Sequence, residues 1–84
     1  MSKAHILVID DEPDITTLIQ DILEDEGYQV DVANTGNQGR DLAQRSHYDL
    51  LLLDVWLPDI DGISLLKEFL VQIGRAHVWT PVTA

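Results

Sequence analysis

The chain alternates between short, wholly apolar runs and longer segments in which apolar residues recur with helical spacing. The runs at residues 6–9 and 50–53 contain no polar residue, a pattern typical of strands buried on both faces in a parallel sheet. A weaker alternation at Tyr28, Val30 and Val32 predicts a half-buried strand at an edge of that sheet. We therefore predict three strands, the last of which covers residues 49–53.

Amphipathic segments separate these strands and predict three helices. Pro13 suits the first turn of a helix, and Gly27 suits the left-handed cap at its end. Thr35 can cap a second helix that runs to about Arg45. The apolar face predicted for the first helix is formed by Ile15, Leu18, Ile19, Ile22 and Leu23. The face predicted for the third helix is formed by Ile63, Leu66, Phe69 and Leu70, with Leu65 at its flank.

The order of these elements predicts an α/β fold. Right-handed crossovers between successive parallel strands give an open sheet with the strand order 2-1-3. Strands one and three are then neighbours, and the chain reverses its winding direction between them. Ligands of open α/β sheets bind at such a point, beyond the carboxyl ends of the strands.

Acidic residues follow both of these neighbouring strands. Asp10 and Asp11 end the first apolar run, and Asp54 ends the run that forms strand three. Neighbouring strands lie about 5 Å apart, so the three carboxylates are expected to repel one another unless a cation lies between them. A divalent metal ion is the simplest means of neutralising this charge.

Two stretches of the chain resemble a known family. ILVIDDEPDI and, further along, LLLLDVWLPDIDGISLL are similar to the receiver domain of two-component response regulators, of the chemotaxis-regulator type. The resemblance covers roughly residues 4–72 and includes Pro58, Asp61 and Gly62 at fixed offsets. It implies a flavodoxin-like open parallel sheet, truncated to three strands in the order 2-1-3 with three helices. The bulky aromatic residue Trp56 beside Asp54 gives the chain a resemblance to the nitrogen-regulation branch of the family.

The resemblance also implies a function and a set of site residues. A receiver accepts a phosphoryl group from a sensor histidine kinase or a phosphotransfer protein, in a Mg²⁺-dependent phosphorelay that controls transcription or another output. By position, Asp54 is the phosphoacceptor. Asp11 and Asp54 are implied as direct Mg²⁺ ligands, Asp10 as acting through water, and the backbone carbonyl of Trp56 as a further ligand. The chain is then a phosphoacceptor signalling domain and not an enzyme, because the transfer is only onto itself.

Other interpretations of the same residues stay open. Acids that follow a strand often cap the next helix, where the helix dipole favours negative charge. A degenerate or truncated receiver would act only as an acidic protein-interaction module. A metal-dependent phosphatase with an aspartyl nucleophile needs a second acid two residues after it, where Trp56 stands. A calcium loop around Asp59 and Asp61 is excluded because Trp56, Leu57 and Pro58 break the alternation of oxygen ligands.

Composition narrows the partners and the location. The 84 residues carry a formal net charge of −10 and include no cysteine. An acidic chain is poorly suited to bind nucleic acid or an anionic membrane directly, because both interactions require a basic surface. No apolar stretch reaches the length of about 18 residues that a membrane span needs, and the first residues do not resemble a secretion signal. We expect a cytoplasmic protein that binds a sensor kinase or phosphotransfer protein.

Residues 73–84 do not continue this pattern, and we predict that they form a non-native tail. Their sequence, IGRAHVWTPVTA, matches one frame of a common sequencing adaptor, which translates as IGRAHV, a stop codon and TPVT. Trp79 stands at the stop codon. The alternative is a contracted fourth strand at residues 80–84, with Thr83 as the family's phosphate-contacting hydroxyl, although strands usually need about five residues. Residues 1–72 are then the N-terminal part of a receiver domain.

Overall fold

A computed structural model of the protein describes residues 4–54, 57–72 and 77–79. Strands and helices alternate along these residues, and every strand pairing is parallel. The elements are β1 His5–Ile9, α1 Pro13–Asp25, β2 Gln29–Ala33, α2 Gly36–Arg45, β3 Leu50–Leu53, α3 Gly62–Gln72 and β4 His77–Trp79. The sheet order is β2-β1-β3-β4, which confirms the predicted order 2-1-3 and the three helices.

The register of the sheet brings the ends of its strands level. Ile9, the last residue of β1, lies opposite Ala33 at the end of β2 and opposite Leu53 at the end of β3. The residues that follow these strands therefore leave the sheet at one edge, side by side. Asp10, Asp11 and Asp54 follow the strand ends at this edge.

A fourth strand, β4, extends the predicted three-stranded sheet. His77–Trp79 pairs with Leu50, Leu51 and Leu52 of β3, within the segment predicted to be a non-native tail. Valine and tryptophan favour strands, and an open edge on β3 offers unpaired backbone groups for them to bond. The alternative strand at residues 80–84, including Thr83, lies outside the described residues. The origin of the segment from an adaptor stays a prediction.

Two apolar clusters cover the two faces of the sheet. On the face of α2 and α3, Leu7, Ile9, Leu51 and Leu53 are buried against helix residues that include Leu65. On the face of α1, the buried residues Ile6, Val8 and Val30 pack against Ile19 and Leu23. The first apolar run is thus buried on both faces, as its composition predicts. In the second run Leu51 and Leu53 are buried, whereas Leu50 and Leu52 are only partly buried.

The inward face of α1 differs from the predicted one. Thr16 is buried, and Ile19 and Leu23 pack against the sheet. Ile15, Leu18 and Ile22 are instead 39%, 56% and 56% exposed. The helix carries two adjacent rows of apolar residues, and only the row that begins at Thr16 faces the strands.

The inward face of α3 also differs from the predicted one. Leu65 and Phe69 are fully buried and Leu66 is partly buried, whereas Ile63 is exposed. Leu65, assigned to the flank, is therefore at the centre of the packed face. Because Leu65 and Phe69 pack into the core, Ile63 is turned toward solvent. The side chain of Leu70 lies outside the described residues.

The predicted helix ends are confirmed. Gly27 has a φ of 94°, its N–H donates to Glu24 O, and the N–H of Tyr28 donates to Leu23 O. These two bonds form the motif that favours glycine at a helix C-terminus. At the start of α2, the hydroxyl of Thr35 accepts from the N–H of Gln38 at 3.0 Å. No helix in the part of the chain that the structure describes is long and apolar enough to cross a membrane.

Candidate metal centre

Three acidic side chains meet at the level edge of the sheet. Asp10, Asp11 and Asp54 each offer one carboxylate oxygen, and these oxygens all lie within 4.8 Å of one another. Backbone bonds continue the sheet past the strand ends, because Asp54 N donates to Ile9 O at 2.9 Å and Asp10 N to Ala33 O at 3.0 Å. The parallel register thereby places the two acid-bearing loops next to each other.

The three acids differ in exposure. Asp10 and Asp54 are half-buried, and Asp11 is exposed to solvent. A ligand at the cluster would thus contact two partly desolvated carboxylates and approach from the side of Asp11. The sequence predicted this grouping, and the roles of the three residues stay a prediction.

The charge of Asp10 is unfavourable in this position. Burial is the largest effect and raises the pKa of Asp10, and a hydrogen bond from the N–H of Glu12 at 3.0 Å lowers it. Repulsion from Asp54 and then Asp11 raises the pKa of Asp10 again, so that the net shift is upward. A cation between the carboxylates would remove this repulsion, because it favours the ionised form of each acid.

The donor set fits a hard divalent cation such as Mg²⁺. Mg²⁺ prefers oxygen ligands, retains several waters and is usually held by one or two carboxylates. The cluster provides carboxylate oxygens only, and its exposed side leaves room for water. Among the residues that the structure describes, these acids are the one group of three or more that could hold a metal ion. Trp56, whose carbonyl was predicted as a further ligand, lies outside those residues.

Two other acids near the site have different roles. Asp59 accepts from the N–H groups of Gly36 and Asn37, at 2.8 and 3.1 Å, and these bonds hold the pKa of Asp59 below its ordinary value. Asp61 accepts from Ile63 N at 3.1 Å at the start of α3. Both carboxylates thus contact helix N-termini, which agrees with the exclusion of a calcium loop.

One residue that contacts the site was missed in the sequence. The side-chain amide of Asn34 donates to the backbone carbonyl of Asp10 and to the hydroxyl of Thr16, both at 3.0 Å. Asn34 directly follows β2, just as Asp10 follows β1 and Asp54 follows β3. Aligning the three strand ends would have drawn attention to it.

An open parallel α/β sheet with acidic residues beyond the ends of its central strands is typical of domains that bind a ligand at this edge. Residues 6–83 match the family model described as the response regulator receiver domain. The chain therefore belongs to the receiver domain family of two-component response regulators. This confirms the family, the fold and the kind of function that the sequence predicted.

Relatives of the chain are regulators of greater length. YkoG of Bacillus subtilis, described as a transcriptional regulatory protein, is 43% identical over 82 residues, which are 98% of this chain and 34% of YkoG. The chain thus spans about a third of that curated relative. The crystal structure of NtrX from Brucella abortus is similar with a TM-score of 0.87 and 35% identity, over 95% of this chain and 18% of NtrX.

A third relative is known with ligands and with a kinase. The regulator TrrA from Thermotoga maritima, solved in complex with Mg²⁺ and BeF, is similar with a TM-score of 0.84 and 34% identity, over 90% of this chain and 66% of TrrA. TrrA was also solved in complex with the histidine kinase ThkA, and that structure gives a TM-score of 0.85 at 33% identity, over 93% of this chain and 67% of that one.

Proposed function

We propose that this receiver accepts a phosphoryl group on Asp54 from a phosphohistidine of a sensor histidine kinase or a phosphotransfer protein. The observation that carries the proposal is the cluster of Asp10, Asp11 and Asp54 at the point where the sheet reverses its winding. The complex of the similar regulator TrrA with a histidine kinase supports the choice of partner.

In the proposed reaction, a carboxylate oxygen of Asp54 attacks the phosphorus atom of the donor. The bond between phosphorus and the imidazole nitrogen breaks, its electron pair returns to the imidazole, and Asp54 becomes an acyl phosphate. The backbone bond from Asp54 N to Ile9 O fixes the start of the loop, so that the side chain stays at the edge of the sheet. Asp54 is half-buried, and partial exclusion of water strengthens electrostatic interactions there.

Asp11 and Asp54 would hold Mg²⁺ directly and Asp10 would hold it through water, and the carbonyl of Trp56 is proposed as a further ligand. When bound, Mg²⁺ supplies positive charge that offsets the negative charge of the phosphoryl oxygens and the attacking carboxylate. The Mg²⁺ complex of TrrA supports this choice of ion. Without the cation, the carboxylates of Asp10 and Asp11 would repel the incoming phosphoryl group.

The setting of the reaction follows from the same considerations. We propose that the domain acts in the cytoplasm with a protein partner. Its net charge of −10 argues against direct contact with nucleic acid or an anionic membrane. Control of transcription is proposed as the output, because relatives such as YkoG and the TcrA protein of Mycobacterium tuberculosis are described as transcriptional regulatory proteins. Phosphorylation is the only chemistry assigned to the domain itself.

Incubation with the small phosphodonor acetyl phosphate and Mg²⁺ tests this function. Intact-mass spectrometry is expected to show one phosphoryl group on the wild type, and none after removal of Mg²⁺ with EDTA or in Asp54→Asn. Asp14→Asn is the matched control, since Asp14 is an exposed acid in the first turn of α1 and is not a member of the cluster. A wild type that stays unmodified would instead support the acidic interaction module.

A further inference from the structure

The β2–α2 turn, defined as residues 33–38, runs from the last residue of β2 into the first turn of α2. It contacts both of the loops that carry the acidic cluster. On one side it holds the backbone of Asp10, because Ala33 O accepts from Asp10 N and the amide of Asn34 donates to Asp10 O, each at 3.0 Å. Both peptide groups of Asp10 are therefore bonded to this turn.

The side chain of Asn34 is itself held in place. Its amide also donates to the hydroxyl of Thr16, which is 1% exposed and donates in turn to Pro13 O at 3.0 Å. The backbone N–H of Asn34 donates to the side-chain carbonyl of Gln38 at 3.1 Å. The bonds of its side chain to Thr16 and Asp10 restrict the rotamer of Asn34, and the bond of its backbone to Gln38 ties it to α2.

On the other side, the turn holds the loop that follows Asp54. The carboxylate of Asp59 accepts from the N–H groups of Gly36 and Asn37. A Cβ atom added at Gly36 would lie 3.0 Å from the Cβ of Ile60, and Ile60 packs against the core. The loop thus lies directly on the first residues of α2, at a distance that a larger residue would disturb.

We propose that the β2–α2 turn positions the two acid-bearing loops against each other, and that Asn34 and Gly36 are the positioning residues that set the affinity for a divalent cation. Repulsion among the three carboxylates pushes the loops apart. Contacts to one common turn hold the loops together in the folded protein. Less ordering of the loops is then needed when the cation binds. The inference rests on the proposed function, since it assumes a cation at the cluster.

Binding of Mn²⁺, followed by the electron paramagnetic resonance signal of the free ion, tests the inference on the full chain. Asn34→Ala is expected to weaken binding about tenfold, the lower end of the loss typical for partners of metal ligands. Gly36→Ala is expected to weaken it less, because the neighbouring loop needs to shift by only a few tenths of an ångström. Both substitutions leave the net charge unchanged, so that altered attraction for the ion cannot explain the losses.

The double variant and a control complete the design. Once either contact is lost the loops can separate, so the double variant is expected to lose less than the product of the two single losses. Asn37→Ala is the matched control, because it removes an exposed side chain from the same turn. It keeps the backbone N–H that donates a hydrogen bond to Asp59. Its Mn²⁺ affinity is expected to match that of the wild type.

Metal-free unfolding measured on the same variants separates positioning from a general structural role. Alanine favours a helix more than glycine does. Gly36→Ala is therefore expected to weaken Mn²⁺ binding without a comparable loss in the free energy of unfolding of the metal-free protein. That variant also keeps the test decisive if Asn34→Ala does not fold. Unchanged Mn²⁺ affinity in folded Gly36→Ala and folded Asn34→Ala would overturn this inference and leave the proposed function standing. A wild type that binds no Mn²⁺ would overturn the proposed function as well.

Discussion

At the scale of the residue, Asp10 is an acid whose charge is unfavourable where the fold places it. It is half-buried, lies beside Asp54 and Asp11, and has a raised pKa for these reasons. Residues that serve a ligand often lower the stability of the protein without it, because the site is organised for a charge that is not yet there. The cluster should therefore show opposite effects on stability and on binding.

Asp10→Asn is expected to stabilise the metal-free protein by about 1 kcal/mol, within the range of improved surface charge. The amide oxygen can still accept the hydrogen bond from Glu12 N, while the repulsion disappears. Since the pKa of Asp10 is raised above 3.8 in the folded state, stability is lost as the pH rises through that pKa. The advantage of Asn should thus be greatest near neutral pH and shrink in acid, as measured by urea unfolding.

The same variant should bind Mg²⁺ more weakly. Asp14→Asn should leave Mg²⁺ binding unchanged and lower the stability slightly, because Asp14 lies in the first turn of α1, where the helix dipole favours negative charge. A metal-free Asp10→Asn protein that is less stable than the wild type at neutral pH would contradict this account of the cluster. The comparison must be made in EDTA, because a bound cation stabilises the wild type by mass action.

At the scale of the element, α2 is fixed by unusually close packing on β1. A Cβ atom added at Gly39 would lie 2.4 Å from the Cδ1 and 2.8 Å from the Cγ1 of Ile9. Glycine is unfavourable in the middle of a helix by about 1 kcal/mol relative to alanine. Here it permits the helix to approach the strand that leads into the acidic loop.

Gly39→Ala is therefore expected to destabilise the domain by about 1–3 kcal/mol, the usual cost of overpacking, despite the better helix propensity. Thermal unfolding followed by circular dichroism would measure the loss. Ile9→Val removes the nearest methyl group and should recover part of the stability when combined with Gly39→Ala. A stabilising Gly39→Ala would show that the helix can move away from β1 at no cost.

The sequence predicted the elements better than their orientation. Apolar runs and strand ends located Asp10, Asp11 and Asp54 correctly, because a parallel register leaves little freedom at the edge of a sheet. The inward face of α1 was predicted correctly for Ile19 and Leu23. It was predicted wrongly for Ile15, Leu18 and Ile22, which form a second apolar row beside the buried one. Which row faces the sheet depends on packing between elements, and periodicity alone does not contain that information.

The contact of Asn34 illustrates the same limit within the site. An asparagine after a strand is typical of many turns, and only the direction of its side chain relates it to Asp10. That direction is set by the hydroxyl of Thr16, which donates in turn to Pro13 O on another element, α1. A network of this kind is visible only once the elements are assembled.

At the scale of the whole molecule, the last segment has two explanations that make different predictions. β4 pairs with β3 as a fourth strand would, and the family match extends through residue 83. An adaptor that happens to encode TPVT would match that part of the family model whatever its origin. Strand pairing of residues 77–79 does not distinguish the two explanations either, because it requires only suitable residues beside an open edge.

We propose that residues 73–84 derive from the adaptor, and long-read sequencing of the source locus across codon 72 would test this. The frame is expected to continue from Gln72 with a sequence other than IGRAHVWTPVTA. A short-read library prepared with a different adaptor is the control, since it should also lack this segment. Recovery of the same twelve codons from native DNA would show that β4 belongs to the gene.

The level ends of β1, β2 and β3 also determine how ligand binding and folding are linked. The three acids and Asn34 come from segments far apart in the chain, and they meet only when the parallel register is complete. The unfolded chain therefore has no comparable affinity for a cation, so that nearly all of the binding free energy favours the native state. Globular domains are only marginally stable. The concentration of the ion in its surroundings would then act as a control on how much of the protein is folded.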